Sequence, residues 1–240
     1  MKIFFRNRLV RFIANPPEHP SNDTLIVPFQ SEEKLKEDWI RFRDHEVFNN
    51  FFILDQRSEN DPIHESATDL FSRVVLQGID PNSPGLNAFL NLFTLLPAAG
   101  GLVKNESGEI LFIHRLGRWD LPKGKIDKKE LTSLNPGVDL LMAANMAAIR
   151  EVREETGLKK VSAIREISST WHIYREKNKE ILKRTFWFEM LASTRETLKP
   201  QVSEGIFLVK WVPVDAMSYV LMNTYASISD LLSHTIGEQS

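Results

Sequence analysis

The stretch Arg150-Glu-Val-Arg-Glu-Glu-Thr-Gly-Leu158, preceded at a distance by Gly124-Lys-Ile-Asp-Lys-Lys-Glu130, decides how this chain is read. The spacing predicts a helix over residues 143–156, on which Glu151, Glu154 and Glu155 stand at i, i+3 and i+4 and share one face within a turn. Like charges this close repel and destabilise a helix unless a cation compensates. Hard divalent ions take oxygen ligands of this kind, so a metal site is the first expectation. Just upstream, Trp119-Asp-Leu-Pro-Lys-Gly-Lys125 is a polar, glycine-bearing loop aimed at the N-terminal side of the helix. Lysines and helix N-termini both favour phosphate oxygens.

Outward from this stretch, residues 101–104 and 109–115 alternate as the two strands of a hairpin closed by the turn Asn105-Glu-Ser-Gly108. The paired glycines of Ala98-Ala-Gly-Gly101 point to a strand passing close to another backbone or a ligand. Residues 86–96 are apolar and read equally as helix or strand. Asp80-Pro-Asn-Ser-Pro-Gly85 is the linker expected between a small α/β domain, residues 1–85, and a second domain, residues 86–240. The first domain is predicted to hold a hairpin over 2–13, a strand over 25–29, a helix begun by Ser31 with Leu35, Trp39 and Phe42 inward, a strand over 51–55 and a helix over 68–77. In the second, Trp171-His-Ile-Tyr174 and Thr185-Phe-Trp-Phe188 read as a hairpin across a basic connection from Arg175 to Arg184. Most of these aromatics belong to a core, while one face offers an aromatic for stacking on a base. A strand over 206–212 and a helical region over 216–232 close the chain.

With 240 residues, 42% of them hydrophobic and 26% charged, the chain has the composition of an ordinary globular protein. A net charge of −2 gives no global electrostatic case for nucleic acid or an anionic membrane, and no helix-turn-helix or basic recognition helix stands out. No apolar run approaches the ~20 residues that span a bilayer. The complete lack of cysteine excludes disulfides, thiolate metal sites and a cysteine nucleophile, and fits a reducing compartment, so the cytoplasm is the expected location. The histidines His19, His45 and His64 are scattered and form no constellation.

Gly124, five residues, Glu130, an interruption and then Arg150 to Leu158 resemble the box of the Nudix hydrolase family, G-x5-E-x7-R-E-U-x-E-E-x-G-U with U a bulky aliphatic residue. The resemblance covers roughly residues 97–225, and the second half matches at every specified position. The chain departs from the pattern by about twelve residues, 131–142, inserted after Glu130, with Asn135-Pro-Gly137 marking a turn inside. The resemblance implies an α/β/α sandwich around a mixed sheet (α+β). It implies Mg²⁺ or Mn²⁺ held by Glu151, Glu154 and Glu155 with the Gly124 carbonyl, an orienting Arg150 braced by Glu130, and a general base that is either Glu151 or Glu204. Lys123, Lys125, Arg115 and Arg118 are the expected cations for substrate phosphates.

The implied reaction is hydrolysis of a diphosphate in a nucleoside diphosphate linked to another moiety. The lead-in Leu-Pro-Lys-Gly-Lys resembles that of dinucleoside polyphosphate and diphosphoinositol polyphosphate hydrolases, so a polyphosphorylated substrate comes first. An ADP-ribose or nucleotide-sugar pyrophosphatase is the alternative. A regulator that binds a nucleotide without turnover is the rival from another class, and a homodimer is compatible with all three.

Overall fold

A computed structural model of the chain describes residues 2–13, 15, 17–54, 83–132 and 140–237. The helix expected over 68–77, His64 and the Asn135-Pro-Gly137 turn lie outside these residues. The chain divides into two compact units, residues 1–96 with 171–183 and residues 97–170 with 184–240.

The first unit begins with the expected hairpin, β1 (Lys2–Phe5) and β2 (Arg8–Ile13). Arg6 and Asn7 turn the corner with φ of 50° and 67°, the left-handed pair that suits the twist of a two-residue hairpin. β3 (Thr24–Pro28), α1 (Glu32–Asp44), β4 (Asn50–Leu54) and α2 (Pro84–Asn91) follow. Ser31 caps α1 by accepting from the Lys34 N–H at 3.2 Å. The apolar face of α1 carries Leu35, Trp39 and Phe42 into a core with Ile3, Phe5, Phe51, Ile53 and Phe89. β2 and β3 both run parallel to β4. The buried Arg8 donates to the Phe42 and Arg43 carbonyls at 2.7 and 2.9 Å, closing the C-terminal end of α1.

The ambiguous stretch 86–96 resolves into both forms. Ser83 caps α2 through the Leu86 N–H at 3.3 Å, and β5 (Thr94–Lys104) starts two residues after the helix. Leu86, Phe89 and Leu90 pack into the first core, so the division between units comes after Leu96, one helix later than the Gly85 boundary expected from composition.

The second unit has strand order β11-β6-β5-β10-β9, with β7 on β6 and β8 on β5. Its elements are β6 (Ile110–Arg115), β7 (Arg118–Asp120), β8 (Lys123–Lys125), α3 (Lys128–Thr132), α4 (Leu140–Thr156), β9 (Val161–Glu176), β10 (Lys179–Ala192), β11 (Ile206–Val212), α5 (Ser218–Leu221) and α6 (Ala226–Gly237). The basic stretch from Arg175 to Arg184 is not a connection. Only Lys177 and Asn178, with φ of 47° and 65°, form the turn, and the rest is strand. The strand signal here is only the adjacent buried pair Ile181 and Leu182, and the charges around it obscure that pair in the sequence. The tip of this hairpin lends Trp171, Ile173 and Leu182 to the first unit's core, where β1 runs parallel to β9 with Ile3 opposite Trp171.

Helices cover both faces of the second sheet, giving an α+β fold. Leu102, Phe112 and Trp187 pack on Ile228, Leu231 and Leu232 of α6. On the other face a Cβ at Gly101 would lie 2.7 Å from Met190 Sδ and 2.8 Å from a methyl of Val152 on α4, so the strand and helix meet closely because Gly101 has no side chain. Among the described residues no helix is long and apolar enough to cross a membrane.

Candidate functional site

The site grows from the contact between β8 and α4. A Cβ at Gly124 would fall 2.0 to 2.2 Å from the carboxylate atoms of Glu151, so only glycine allows this approach. One turn on, Glu155 accepts the Lys123 backbone N–H at 2.8 Å. Glu151 and Glu155 are both buried. Burial pushes the Glu151 carboxyl above its ordinary range, with Arg150 opposing and Glu154 and Glu204 reinforcing. Burial likewise pushes Glu155 up to about 7, against the pull of Lys123 and Arg115.

Arg150 ties the helix to the loop before it. Its Nε and Nη2 donate to the two Glu130 oxygens at 2.8 and 3.1 Å, Nη1 donates to Glu151 at 2.7 Å and Glu154 at 3.1 Å, and Nη2 reaches the Lys125 carbonyl at 2.9 Å. Hydrogen bonding to Glu130 is the largest reason that the guanidinium is held well above its ordinary pKa. Glu130 also accepts the Asp127 N–H at 2.8 Å, closing the first turn of α3. The inserted residues therefore leave Glu130 and Arg150 paired, and α4 itself starts back at Leu140.

Arg115, at the end of β6, lies 3.6 Å from Glu155 and 3.4 Å from Glu204. Glu204 ends a short 3-10 turn, Val202–Glu204, that is tethered to the C-terminal end of α4: the Lys199 N–H donates to Thr156 O at 2.7 Å and the Gln201 N–H to Glu155 O at 3.3 Å. The Lys123 ammonium pairs with the buried Asp120. Lys125 is exposed and meets the site through its backbone carbonyl, and the Arg118 guanidinium lies over the Tyr225 ring at 5.2 Å. Of the expected site residues, Glu130, Arg150, Glu151, Glu154, Gly124, Glu155, Arg115 and Glu204 are thus linked, directly or through one neighbour.

Residues 94–232, more than half of the chain, match the family model of the NUDIX domain. The chain belongs to the Nudix family. Among solved structures it is similar to a C. elegans Ap4A hydrolase binary complex, with TM-score 0.41 and 22% identity over 60% of this chain and 97% of that one. It is similar also to the MutT protein from Methanosarcina mazei Go1, with TM-score 0.39 and 22% identity over 62% and 97%. A third is the NUDIX domain of Shewanella oneidensis NrtR complexed with ADP ribose, with TM-score 0.41 and 16% identity over 60% and 89%. No curated protein matches the chain in sequence.

Among the described residues of this Nudix chain, no three His, Asp or Glu side chains stand ready as a metal cage. The donors nevertheless suit a hard cation. Glu155 Oε1 is buried without a hydrogen-bond partner, and the Glu151 carboxylate lies against the Gly124 backbone, an all-oxygen set in a dry setting. Two contributors were not singled out in the sequence. Asp120 shows only as the acid before Leu-Pro, and its pairing with Lys123 depends on the turn into β8. The tether of the Glu204 turn is made by backbone groups of Lys199 and Gln201, which carry no residue signature beyond Gly157, held at φ 78° at the end of α4.

Proposed function

We propose that the chain is a divalent-metal-dependent hydrolase of diphosphate linkages in a nucleoside diphosphate joined to another moiety, with dinucleoside polyphosphates and similar polyphosphorylated compounds as first substrates. The observation that carries this reading is the convergence of two buried carboxylates on one short strand, Glu151 against Gly124 and Glu155 on the Lys123 N–H, with Arg115 beside Glu155. Burying acids this way costs stability unless a cation is bound there in use. Mg²⁺ or Mn²⁺ would be held by Glu151, Glu155 and the Gly124 carbonyl, with Glu154 alongside, and when bound it supplies neutralisation of phosphate oxygens and acidification of water.

The chain's own groups supply the rest. Arg150 fixes the rotamer of Glu151, and the Lys123 N–H fixes that of Glu155, so both carboxylates are oriented before substrate arrives. Arg115 is placed to shift from its two carboxylates to a phosphate oxygen. Glu204 is the proposed general base: its turn is anchored to α4, yet its side chain stays half exposed, where water reaches it. Glu151, held by Arg150, is the other candidate. The cysteine-free composition fits a reducing compartment and supports the cytoplasm as the proposed location.

Purified protein with Mg²⁺ and a panel of dinucleoside polyphosphates, diphosphoinositol polyphosphates, ADP-ribose, nucleotide sugars and nucleoside triphosphates tests the reading. Product release from at least one is expected, and release from none, with nucleotide still bound, would identify a non-catalytic regulator instead. Glu204→Gln should lower kcat about 10²-fold and remove the acid limb of the pH–rate profile. An unchanged limb would move the base to Glu151.

A further inference from the structure

Lys123 serves the carboxylate centre with its backbone and sends its side chain elsewhere. Its N–H donates to Glu155 at 2.8 Å. Gly124, the next residue on β8, faces Glu151 on α4, and side chains alternate along a strand, so the Lys123 side chain leaves on the opposite face of the sheet. There Nζ lies 6.0 Å from the centroid of the Trp187 ring, and the ammonium pairs with Asp120.

The surroundings hold the lysine in this place. Gly100 stands opposite Lys123 in the β5–β8 ladder, and a Cβ there would lie 2.5 Å from Lys123 Cβ and 2.7 Å from Trp187 Cζ3. The lysine stem and the ring therefore lie together because Gly100 has no side chain. Trp187 is itself fixed, its Nε1 donating to Thr170 Oγ1 at 2.8 Å. Asp120 is buried, and its Oδ1 accepts the Leu121 N–H at 2.8 Å while Oδ2 takes the ammonium. A lysine ammonium is strongly hydrated and its stem flexible, so burying a carboxylate to hold one costs free energy that the position has to repay.

Glu155 supplies the reason. Burial is the first influence on its carboxyl; among the charges around it Lys123 acts most strongly, favouring the ionised form, and Asp120 opposes Lys123. An ammonium released from Asp120 is drawn to Glu155, where it takes a carboxylate that a divalent ion needs. We propose that Asp120 is a positioning residue for the metal site: it holds the Lys123 ammonium over Trp187, on the far face of β8, and so keeps Glu155 open to a divalent cation. This rests on the metal reading above and adds to it a residue that touches neither the metal nor the substrate.

The test is Mn²⁺ binding to the full-length protein, read from the electron paramagnetic resonance signal of free Mn²⁺, with a thermal melt for each variant. Asp120→Asn keeps the size of the side chain and an oxygen for the Leu121 N–H but removes the charge. Its Mn²⁺ dissociation constant is expected to rise about 10-fold. Adding Lys123→Met removes the released ammonium, and the double variant, which leaves neither member of the pair charged, should return to within about 3-fold of wild type. Lys123→Met alone should bind Mn²⁺ at least as tightly as wild type, because it deletes only a competitor. No loss in Asp120→Asn, a full loss that persists in the double variant, or a loss in Lys123→Met would overturn the proposal and leave the pair as a clasp for the turn into β8. If Asp120→Asn does not fold, the other two variants carry the test, and weakened binding in either overturns the proposal. Wild type that binds no Mn²⁺ would sink the metal reading and the proposal with it, whereas wild-type binding without this pattern sinks the proposal alone.

Discussion

Arg150 and Arg115 stand at one acidic cluster, on different carboxylates and with nearly the same exposure, 28% and 32%, and they are held in different ways. Arg150 has all five N–H groups committed, to Glu130, Glu151, Glu154 and the Lys125 carbonyl. Arg115 has ion-pair distances of 3.6 and 3.4 Å to Glu155 and Glu204, and its buried Nε has no hydrogen-bond partner. A guanidinium saturated by a planar fork is expensive to move. One held by charge alone can change partners. The difference separates a brace, which keeps the loop on the helix whatever is bound, from a cation that can follow a ligand.

The largest effect should come from the two buried carboxylates, Glu151 beside Arg150 and Glu155 beside Arg115. Glu155→Gln and Glu151→Gln are each expected to lower kcat by roughly 10²- to 10³-fold with Mg²⁺ while the circular dichroism spectrum is kept, since each removes a proposed metal ligand. Wild-type rates in either variant would show that the brace and the mobile cation surround something other than the reaction centre.

Next in size is a pH effect that needs no substrate. The Glu155 pKa of about 7 lies above its ordinary 4.5, so the folded protein holds a proton that the unfolded chain releases. A raised carboxyl pKa makes stability greatest below pH 4.5 and weaker as pH rises to 7. In chelator, wild type should therefore lose up to roughly 3 kcal/mol between pH 4.5 and 7.5, and Glu155→Gln should flatten the slope. The carboxylates with lowered pKa, Glu189 among them, titrate below this window and act in the opposite direction. Equal slopes in both proteins would mean that Glu155 is not the group penalised.

Arg150→Met tests the brace. It leaves Glu130 and Glu151 as partly buried, unpaired charges, so a loss of roughly 2–3 kcal/mol in stability and a fall of about 10- to 100-fold in kcat are expected, with partial recovery in Arg150→Lys. A thermal melt unchanged in Arg150→Met would erase the contrast with Arg115.

Much of this arrangement was legible in the sequence because it depends on local spacing. The helix face with Glu151, Glu154 and Glu155, the glycine at 124 and the Asn105–Gly108 hairpin all follow from periods of 3.6 and 2 or from turn chemistry. What was not legible depends on distant segments meeting. The pairing of Glu130 with Arg150 spans an insertion whose path no local rule predicts. The charged stretch from Arg175 to Arg184 hid a strand, because alternation is weak where lysines and glutamates extend from a sheet. The boundary of the first unit was displaced by the Pro-rich signal near Gly85, since turn residues mark a corner of the chain without saying which core the next helix joins.

The smallest expected effect decides most sharply between the two roles. Arg115→Met should leave the melting temperature nearly unchanged, within the equivalent of about 1 kcal/mol, because both ion pairs it forfeits lack good hydrogen-bond geometry, one of them is to the half-exposed Glu204, and the buried Glu155 already favours its neutral form. It should raise KM for a diphosphate substrate about 10-fold and lower kcat less, since the lost charge-assisted contact is one that the substrate makes on binding. Arg115→Lys should recover part of the KM, as a point charge replaces a fork. If Arg115→Met instead melts as early as Arg150→Met, Arg115 is a second brace holding Glu204 to Glu155. A fall in kcat with KM untouched would show that its contact forms only in the transition state, and the contrast between fixed and mobile arginine would have to be redrawn along the reaction coordinate.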